Sequence, residues 1–231
     1  MCCMVSVVTF AVHAQFQLGP KVGLNIANCA FIFEDDDDEP ETNIMRLAYA
    51  FGVAADYGFS DAFSLQSGLI FTSKGYSYDL DEISEEIDYD GYERVIFNYI
   101  ELPVNAVYKI KGFQIYAGPY IAFGICGKYK WDYTYDYYGT EEGDSGKMKL
   151  KPKFGEVDED DLGEDEDAFY ALDGGFNFGI GYQFDGFVIQ AGYSLGLGNI
   201  MPKYTDDIRD EYKYSNRVIT LSVAYMFNLG D

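Results

Sequence analysis

The stretch 98–124 constrains this chain most, because it alternates with a period of two and has two very different faces. Lys111-Gly112 divides it into two arms, and alternating arms around a two-residue turn predict a β-hairpin. The small or polar face has single charges, such as Glu101 and Lys109, set into it. The other face carries bulky hydrocarbon side chains: Ile100, Leu102, Val104, Ala106, Tyr108, Ile110, Phe113, Ile115, Ala117, Pro119, Ile121 and Phe123.

This distribution indicates which face meets water. A closed barrel in water needs apolar side chains inside and polar ones outside, whereas a barrel in an outer membrane needs the reverse. Because the apolar face of 98–124 is continuous, we expect it to meet lipid. No stretch after the N-terminus approaches the ~20 consecutive apolar residues of a membrane-spanning helix, so membrane residence would require a closed β-barrel.

The same alternation recurs along the chain and predicts an all-β fold, an eight-stranded antiparallel up-and-down barrel. The second arm of the hairpin is expected to continue past Lys130 into the aromatic segment beyond it. The other strands are expected over 16–27, 44–57, 62–78, 169–184, 187–197 and 216–227.

The predicted connections also alternate in length. Short turns at 58–61, 111–112 and 185–186 are separated by long loops at 28–43, 79–93, 131–168 and 199–215. Short periplasmic turns and long extracellular loops are typical of a transmembrane barrel in the outer membrane, and eight strands would place both termini in the periplasm.

The charges follow the same division. The net charge is −23, and the four long loops hold 33 of the 39 Asp and Glu residues. Carboxylates are costly in hydrocarbon, so their absence from the outward-facing sets agrees with a membrane location. The acidic balance argues against a nucleic-acid partner, whose phosphates require Lys and Arg.

Residues 1–14 are apolar and end at Ala14, which predicts a signal peptide, truncated at its start, before a barrel domain over 15–231. The alternative is a short buried strand.

Cys29 and Cys126 are expected on opposite sides of the barrel, too far apart for a disulfide, whose Cα atoms must lie within ~7 Å. We therefore expect both to be free, buried thiols.

Several segments together resemble the small PorT-like outer-membrane β-barrel proteins of Bacteroidota, and the resemblance covers nearly all of the chain after the predicted signal peptide. The segments are GPKVGLNIAN, FSLQSGLIFTSKGYSY, NYIELPVNAVYKI, YAGPYIAFG and NRVITLSVAYMF. The resemblance implies an eight-stranded barrel inserted by the barrel-assembly machinery. The founding member of that family is tied to secretion of proteins across the outer membrane, a role that we do not carry over to this chain. The chain departs from the pattern in its long acidic third loop and at its end, where FNLGD replaces a terminal aromatic residue.

Charged side chains on the inward face form a first candidate site. An eight-stranded barrel is filled by its side chains, so we interpret these charges as a polar network that packs the lumen. The alternative is a narrow polar route or gate for translocation. The residues are Lys21, Arg46, Asp56, Lys74, Glu101, Lys109 and Asp173.

Two acidic runs form a second candidate site, for divalent cations, because hard cations take several carboxylate oxygens. The run at 156–167 does not match an EF-hand, since Gly163 at the sixth position places Leu162 and Phe169 at the fifth and twelfth. The alternatives are a solvated loop and bridging to surface lipopolysaccharide. The candidate ligands are Asp35, Asp36, Asp37, Asp38, Asp158, Asp160, Asp161 and Asp165.

Aromatic residues suggest a third surface. The segment 131–138, with Tyr76, Tyr78, Tyr89 and Tyr92, is either a surface for glycans or peptides or a girdle and strand extension above the membrane.

Catalysis is disfavoured. The only histidine, His13, lies in the predicted signal peptide, so the mature chain would have no His-based triad. We also see no metal-ligand spacing and expect no cofactor.

We therefore expect a non-enzymatic outer-membrane barrel with a structural or surface-interaction role, in contact with lipid and lipopolysaccharide. Divalent cations, a surface protein and a glycan are the candidate partners. The alternatives are an accessory component of secretion or transport, by the resemblance alone, and a soluble, ligand-binding barrel of lipocalin type.

Overall fold

The structure, a computed structural model, describes residues 15–33, 43–80, 89–137, 140–158, 160, 162–204 and 212–229. The described part contains no helix that is long and apolar enough to cross a membrane. Its strands confirm the predicted all-β fold. They are β1 (Gln15–Phe33), β2 (Arg46–Gly58), β3 (Phe63–Asp79), β4 (Tyr89–Ile110), β5 (Phe113–Tyr137), β6 (Thr140–Lys153), β7 (Glu156–Val157), β8 (Glu166–Tyr170), β9 (Leu172–Phe184), β10 (Phe187–Gly196), β11 (Lys203–Tyr204), β12 (Tyr212–Tyr225) and β13 (Phe227–Asn228).

Eight of these strands close into a barrel. The antiparallel pairs run β1–β2, β2–β3, β3–β4, β4–β5, β5–β9, β9–β10, β10–β12 and β12–β1, so each strand has a neighbour on both sides. Closure matters because lipid offers no hydrogen-bond partners to the free edge of a sheet.

The two ends of the barrel differ as predicted. The short turns lie at one end, which we call the hairpin end. Lys111 and Gly112 have φ values of 50° and 86°, and Asp185 and Gly186 have 46° and 84°, the left-handed pairs that suit two-residue hairpins. The longer connections lie at the other end, which we call the loop end, and β4 and β5 remain paired beyond the barrel there.

Exposure is inverted relative to a soluble barrel. On the outer surface Leu47 is 71% exposed, Phe113 64% and Ile180 63%. In the lumen Lys74 is 1% exposed and Asp173 0%. Apolar side chains thus cover the exterior and polar ones fill the interior, as predicted for contact with lipid. The alternative prediction of a soluble, ligand-binding barrel of lipocalin type is therefore wrong.

A β-bulge in β5 corrects one prediction. The register against β4 shifts between Asn98 and Tyr99, where Ile125 is an extra residue and displaces the alternation by one. Ile125 and Cys126 are therefore both exposed, and the prediction of a buried Cys126 is wrong. Cys29 is buried, and both thiols are free.

The prediction of a long loop over 131–168 is also wrong. As expected, β5 continues past Lys130, but it then turns into β6, which pairs with β5 on one side and in parallel with β8 on the other. Beyond the pair Phe123–Leu172, this β6 strand separates β5 from β8. The resulting four-stranded extension, β4–β5–β6–β8, is called the projecting sheet below. The predicted strand 169–184 accordingly divides into β8 and β9 at Ala171.

Candidate functional site

The tightest group of charges in the lumen is centred on Lys74 of β3. Its ammonium nitrogen lies 2.8 Å from Oε2 of Glu101 and 3.1 Å from Oδ2 of Asp173. These charges are held away from bulk water, and burial of a charge is unfavourable unless it is paired. One ammonium therefore serves two carboxylates, which leaves Asp173 in need of further donors.

Tyr120 and Asn216 supply those donors. The Tyr120 hydroxyl lies 3.3 Å from Asp173 Oδ2, and Asn216 Nδ2 donates to the same oxygen at 3.0 Å. Lys74 Nζ also lies 4.3 Å from the centre of the Tyr120 ring, within cation–π range. We call these four residues, together with Glu101, the Lys74 cluster; it joins strands that are not neighbours in the barrel.

Two more of the predicted lumen charges pair nearer the hairpin end. Lys109 Nζ lies 2.9 Å from Asp56 Oδ1, and the Ser64 hydroxyl donates to Asp56 Oδ2 at 2.9 Å. Asp56 is 3% exposed, and this pair lies apart from the Lys74 cluster.

Lys21 and Arg46 have neutral partners. Lys21 Nζ donates to Gln190 Oε1 at 2.8 Å, and Gln190 donates in turn to Gln66 Oε1 at 2.9 Å. Arg46 donates to the Ser73 hydroxyl at 2.9 Å. The structure thus places all seven predicted charges in the lumen but brings only Lys74, Glu101 and Asp173 into one group. The glutamine, serine and asparagine partners were missed, although they share the inward face of the same alternating strands.

Side chains fill most of the lumen. A cavity of about 70 Å³ remains between Lys21, Tyr116 and Thr220, with room for a few water molecules. Toward the loop end it is covered by an aromatic cap of Phe97, Tyr99 and Phe169. The ring centres of Phe97 and Phe169 are 4.9 Å apart, and those of Tyr99 and Phe169 are 5.9 Å apart. Among the described residues, the aromatic cap therefore closes the lumen toward the loop end.

Aromatic side chains also line a recess above this cap, with a volume of about 400 Å³. Tyr204 donates a hydrogen bond to Asp167 at its wall. In this recess the pKa of the Tyr129 hydroxyl is raised, mainly by burial and secondly by a hydrogen bond with Glu93. The recess includes two members of the predicted aromatic surface, Tyr76 and Tyr78.

The aromatic segment of β5 faces acidic residues of β6. Trp131 Nε1 donates to Asp144 at 3.0 Å, and the Tyr135 hydroxyl donates to Glu142 at 2.9 Å. These contacts fix the segment as part of the projecting sheet.

The candidate cation ligands are only partly described. Asp35 to Asp38 and Asp161 lie outside the described residues. Asp158 Oδ1 accepts the backbone N–H of Asp160, and among the described residues no three His, Cys, Asp or Glu side chains converge to hold a metal. Asp165 contributes its backbone carbonyl to Lys149 N–H at 2.9 Å.

The outer face of the projecting sheet carries lysines that the sequence reasoning missed. Lys128 and Lys130 of β5, with Lys147 and Lys149 of β6, alternate with residues that face the interior, such as Leu150. We call these four residues the lysine face. The available signal was the period-two pattern KMKLKPK at 147–153, which lies between two acidic runs.

A closed antiparallel barrel with a polar, filled lumen and an apolar exterior defines a β-barrel of the outer membrane. The chain belongs to the family described as outer membrane protein beta-barrel domain, whose model matches residues 11–201. Membership places the protein in the outer membrane. No curated protein matches the chain.

Several solved barrels are similar at low identity. Ail, the attachment invasion locus protein of Yersinia pestis, solved with the heparin analogue sucrose octasulfate, is 14% identical, with 92% of this chain and 99% of that chain covered and a TM-score of 0.39. Neisserial surface protein A is 12% identical, with 92% and 97% covered and a TM-score of 0.36. The monoaromatic hydrocarbon channel CymD is 12% identical, with 94% and 90% covered and a TM-score of 0.28.

Proposed function

We propose that the protein is a non-enzymatic component of the cell envelope, in which a closed barrel anchors the projecting sheet as a surface for interaction. The observation that carries this proposal is the contrast between the two parts of the molecule. The Lys74 cluster and the aromatic cap fill the lumen, whereas β4, β5 and β6 continue beyond the barrel as a sheet with a strongly charged face.

The proposed orientation places the loop end outside the cell and both termini in the periplasm. The short turns of the hairpin end support it, since short turns are typical of the periplasmic side. Outer-membrane lipid and lipopolysaccharide would then surround the barrel, which the barrel-assembly machinery would insert. Divalent cations, a surface protein and a glycan remain the candidate partners of the loop end.

The resemblance to PorT-like proteins implies an accessory role in secretion or transport, and that role stays a prediction. A translocation route through the barrel would require the aromatic cap and the Lys74 cluster to separate. Because Asp173 accepts donors from three strands, such an opening would break several buried contacts at once.

Conductance in a planar lipid bilayer tests the proposal. The refolded chain is inserted, and a porin inserted under the same conditions serves as the positive control. We expect no conducting steps from the wild type, because its lumen is filled. Stable, reproducible conducting steps would overturn the proposal of a closed anchor.

A further inference from the structure

The lysine face combines like charges in a way that costs stability. Lys128 lies directly opposite Lys149, and Lys130 directly opposite Lys147, in the antiparallel pairing of β5 with β6. Side chains at such positions lie about 5 Å apart at Cβ, and like charges there repel. Two repulsive pairs in succession are unexpected in a chain with 39 acidic residues and only 16 basic ones, since acidic partners are abundant.

The chain supplies no described ion-pair partner for these ammonium groups. Of the neighbouring lysines, Lys151 pairs with Glu166 at 2.5 Å. Lys149 lies opposite the same Glu166 in the pairing of β6 with β8, and its charge helps to lower the pKa of that carboxyl. No described carboxylate, however, lies within ion-pair distance of any member of the lysine face. Lys128, Lys147 and Lys149 are exposed and Lys130 is half-exposed, so the face is open to an external anion.

The height of Lys128 and of Lys149 opposite it, the members of the lysine face nearest the barrel, points to the source of the anion. On the outer side of β5, Ile121, Phe123 and Ile125 are 38%, 45% and 46% exposed and belong to the apolar belt. Lys128 follows three residues later, which is about 10 Å along a strand and about 7–8 Å in height at the usual barrel tilt. The headgroup layer of a bilayer extends about 5–8 Å beyond the hydrocarbon on each side.

We propose that the lysine face binds the phosphate groups of phosphorylated glycolipids in the outer leaflet. The lateral direction of the face and its continuity with the apolar belt match such a headgroup. So does its positive charge, which forms no ion pair among the described residues. Bound phosphates would neutralise the two repulsive pairs, so the lipid would stabilise the projecting sheet and fix its height. This inference rests on the proposed function, because it requires the loop end to face the outer leaflet.

Lipid retention by the refolded full chain in a neutral detergent tests the proposal. The probes are a bisphosphorylated lipid A, the same lipid after enzymatic dephosphorylation, inorganic phosphate and a sulfated polysaccharide. The variants are Lys128→Gln/Lys149→Gln, Lys130→Gln/Lys147→Gln and the quadruple variant. The matched control is Lys111→Gln/Lys213→Gln, which removes two exposed lysines outside the lysine face.

We expect the wild type and the control to retain the bisphosphorylated lipid in native mass spectrometry and to bind the dephosphorylated lipid poorly. Because a lysine near an anionic surface contributes about a fivefold change in affinity, each double variant should bind about 25-fold more weakly. Without lipid, the variants should unfold at the same or a higher urea concentration than the wild type, since the repulsion is relieved. If the lysines only stabilised the fold, the variants would unfold at a lower urea concentration than the wild type.

Equal retention by the quadruple variant and the wild type would overturn the proposal. So would competition by inorganic phosphate at the same concentration as the lipid, which would indicate a site for free phosphate. Binding of the polysaccharide without retention of lipid would overturn it in favour of a glycan partner. The bilayer conductance of the same samples tests the proposed function separately. Conducting steps would contradict the closed anchor whether or not lipid is retained, whereas loss of lipid binding without conducting steps would contradict only the lipid proposal.

Discussion

The ammonium of Lys74 lies 3.1 Å from the fully buried carboxylate of Asp173, and the two residues come from β3 and β9, which do not pair in the barrel. The contact therefore crosses the lumen and connects two parts of the wall. Glu101 lies on β4, between them in the circuit, and shares the same ammonium at 2.8 Å. The lumen is held together by such crossings as well as by the backbone pairing of the wall.

Loss of the central cation should destabilise the barrel strongly. Lys74→Met leaves two buried carboxylates without their shared partner, and breaking a buried pair in this way costs about 3–5 kcal/mol. The triple variant Lys74→Met/Glu101→Gln/Asp173→Asn should recover most of the loss, since no charge is then left unpaired. Urea unfolding in lipid vesicles, followed by far-UV circular dichroism, measures both. As a control, Lys111→Met at the exposed hairpin turn should change stability by less than about 0.5 kcal/mol. If Lys74→Met is as stable as the wild type, the Lys74 cluster does not stabilise the barrel.

Two residues of equal exposure should respond differently to a charge. Ile180 is 63% exposed on the barrel wall, and Phe154 is 65% exposed just after β6, outside the barrel strands. Ile180→Arg should cost about 2–4 kcal/mol in vesicles because it places a charge in hydrocarbon, whereas Phe154→Arg should cost less than about 1 kcal/mol. The same urea titration compares them. Similar costs for both variants would mean that the wall does not face lipid.

Close packing inside the lumen predicts a size limit at Gly192. A Cβ added there would lie 2.0 Å from the Tyr116 hydroxyl, so the ring would have to move, and the cavity of about 70 Å³ that both residues line gives it little room. Gly192→Val should therefore destabilise the barrel by about 1–3 kcal/mol, and a second change, Tyr116→Ala, should relieve the clash. Gly155→Ala is the control, because a Cβ at Gly155 meets no atom within 4 Å. If the double variant is no more stable than Gly192→Val alone, the clash is not the cause.

The ion pair in the projecting sheet predicts a dependence on pH. The hydrogen bond from Lys151 is the main reason that the pKa of Glu166 is lowered. A carboxylate with a lower pKa in the folded state stabilises that state at neutral pH, and the contribution disappears as the pH falls through the folded pKa. Proteolysis within 156–167, normalised to an unstructured peptide, should thus accelerate as the pH falls from about 7 to about 4, where Glu side chains titrate. Lys151→Gln should be cut faster at neutral pH and show a weaker pH dependence; identical profiles would exclude a role for the pair.

The wall of the barrel was predictable from the sequence because its two faces meet different surroundings. Leu47 and Ile180 meet lipid while Asp56 and Asp173 meet the lumen, and alternation of this kind is visible residue by residue. The inward position of the lumen charges was predictable from this alternation. Their pairing partners were not predictable, because Lys74 and Asp173 are 99 positions apart and only the register of the closed barrel brings them together.

The projecting sheet was less predictable, since its strands lie beyond the lipid and only their inner face, as at Leu150, is buried and apolar. β6 contains Glu142, Asp144 and four lysines, which match a solvated loop by composition, and only the spacing of the lysines indicates a strand. The exposure of Cys126 was not predictable for another reason. One extra residue at Ile125 reverses every side chain after it, and nothing in the local sequence marks the bulge.

Accessibility of single cysteines on intact cells tests the central account most directly. Ser145, exposed on the projecting sheet, and Asp61, exposed at the hairpin end, are each changed to Cys in a background without other cysteines. A membrane-impermeant maleimide should label Ser145→Cys on intact cells and Asp61→Cys only after the outer membrane is permeabilised. Labelling of both sites on intact cells, or of Asp61→Cys alone, would contradict a barrel that spans the outer membrane with its loop end outside.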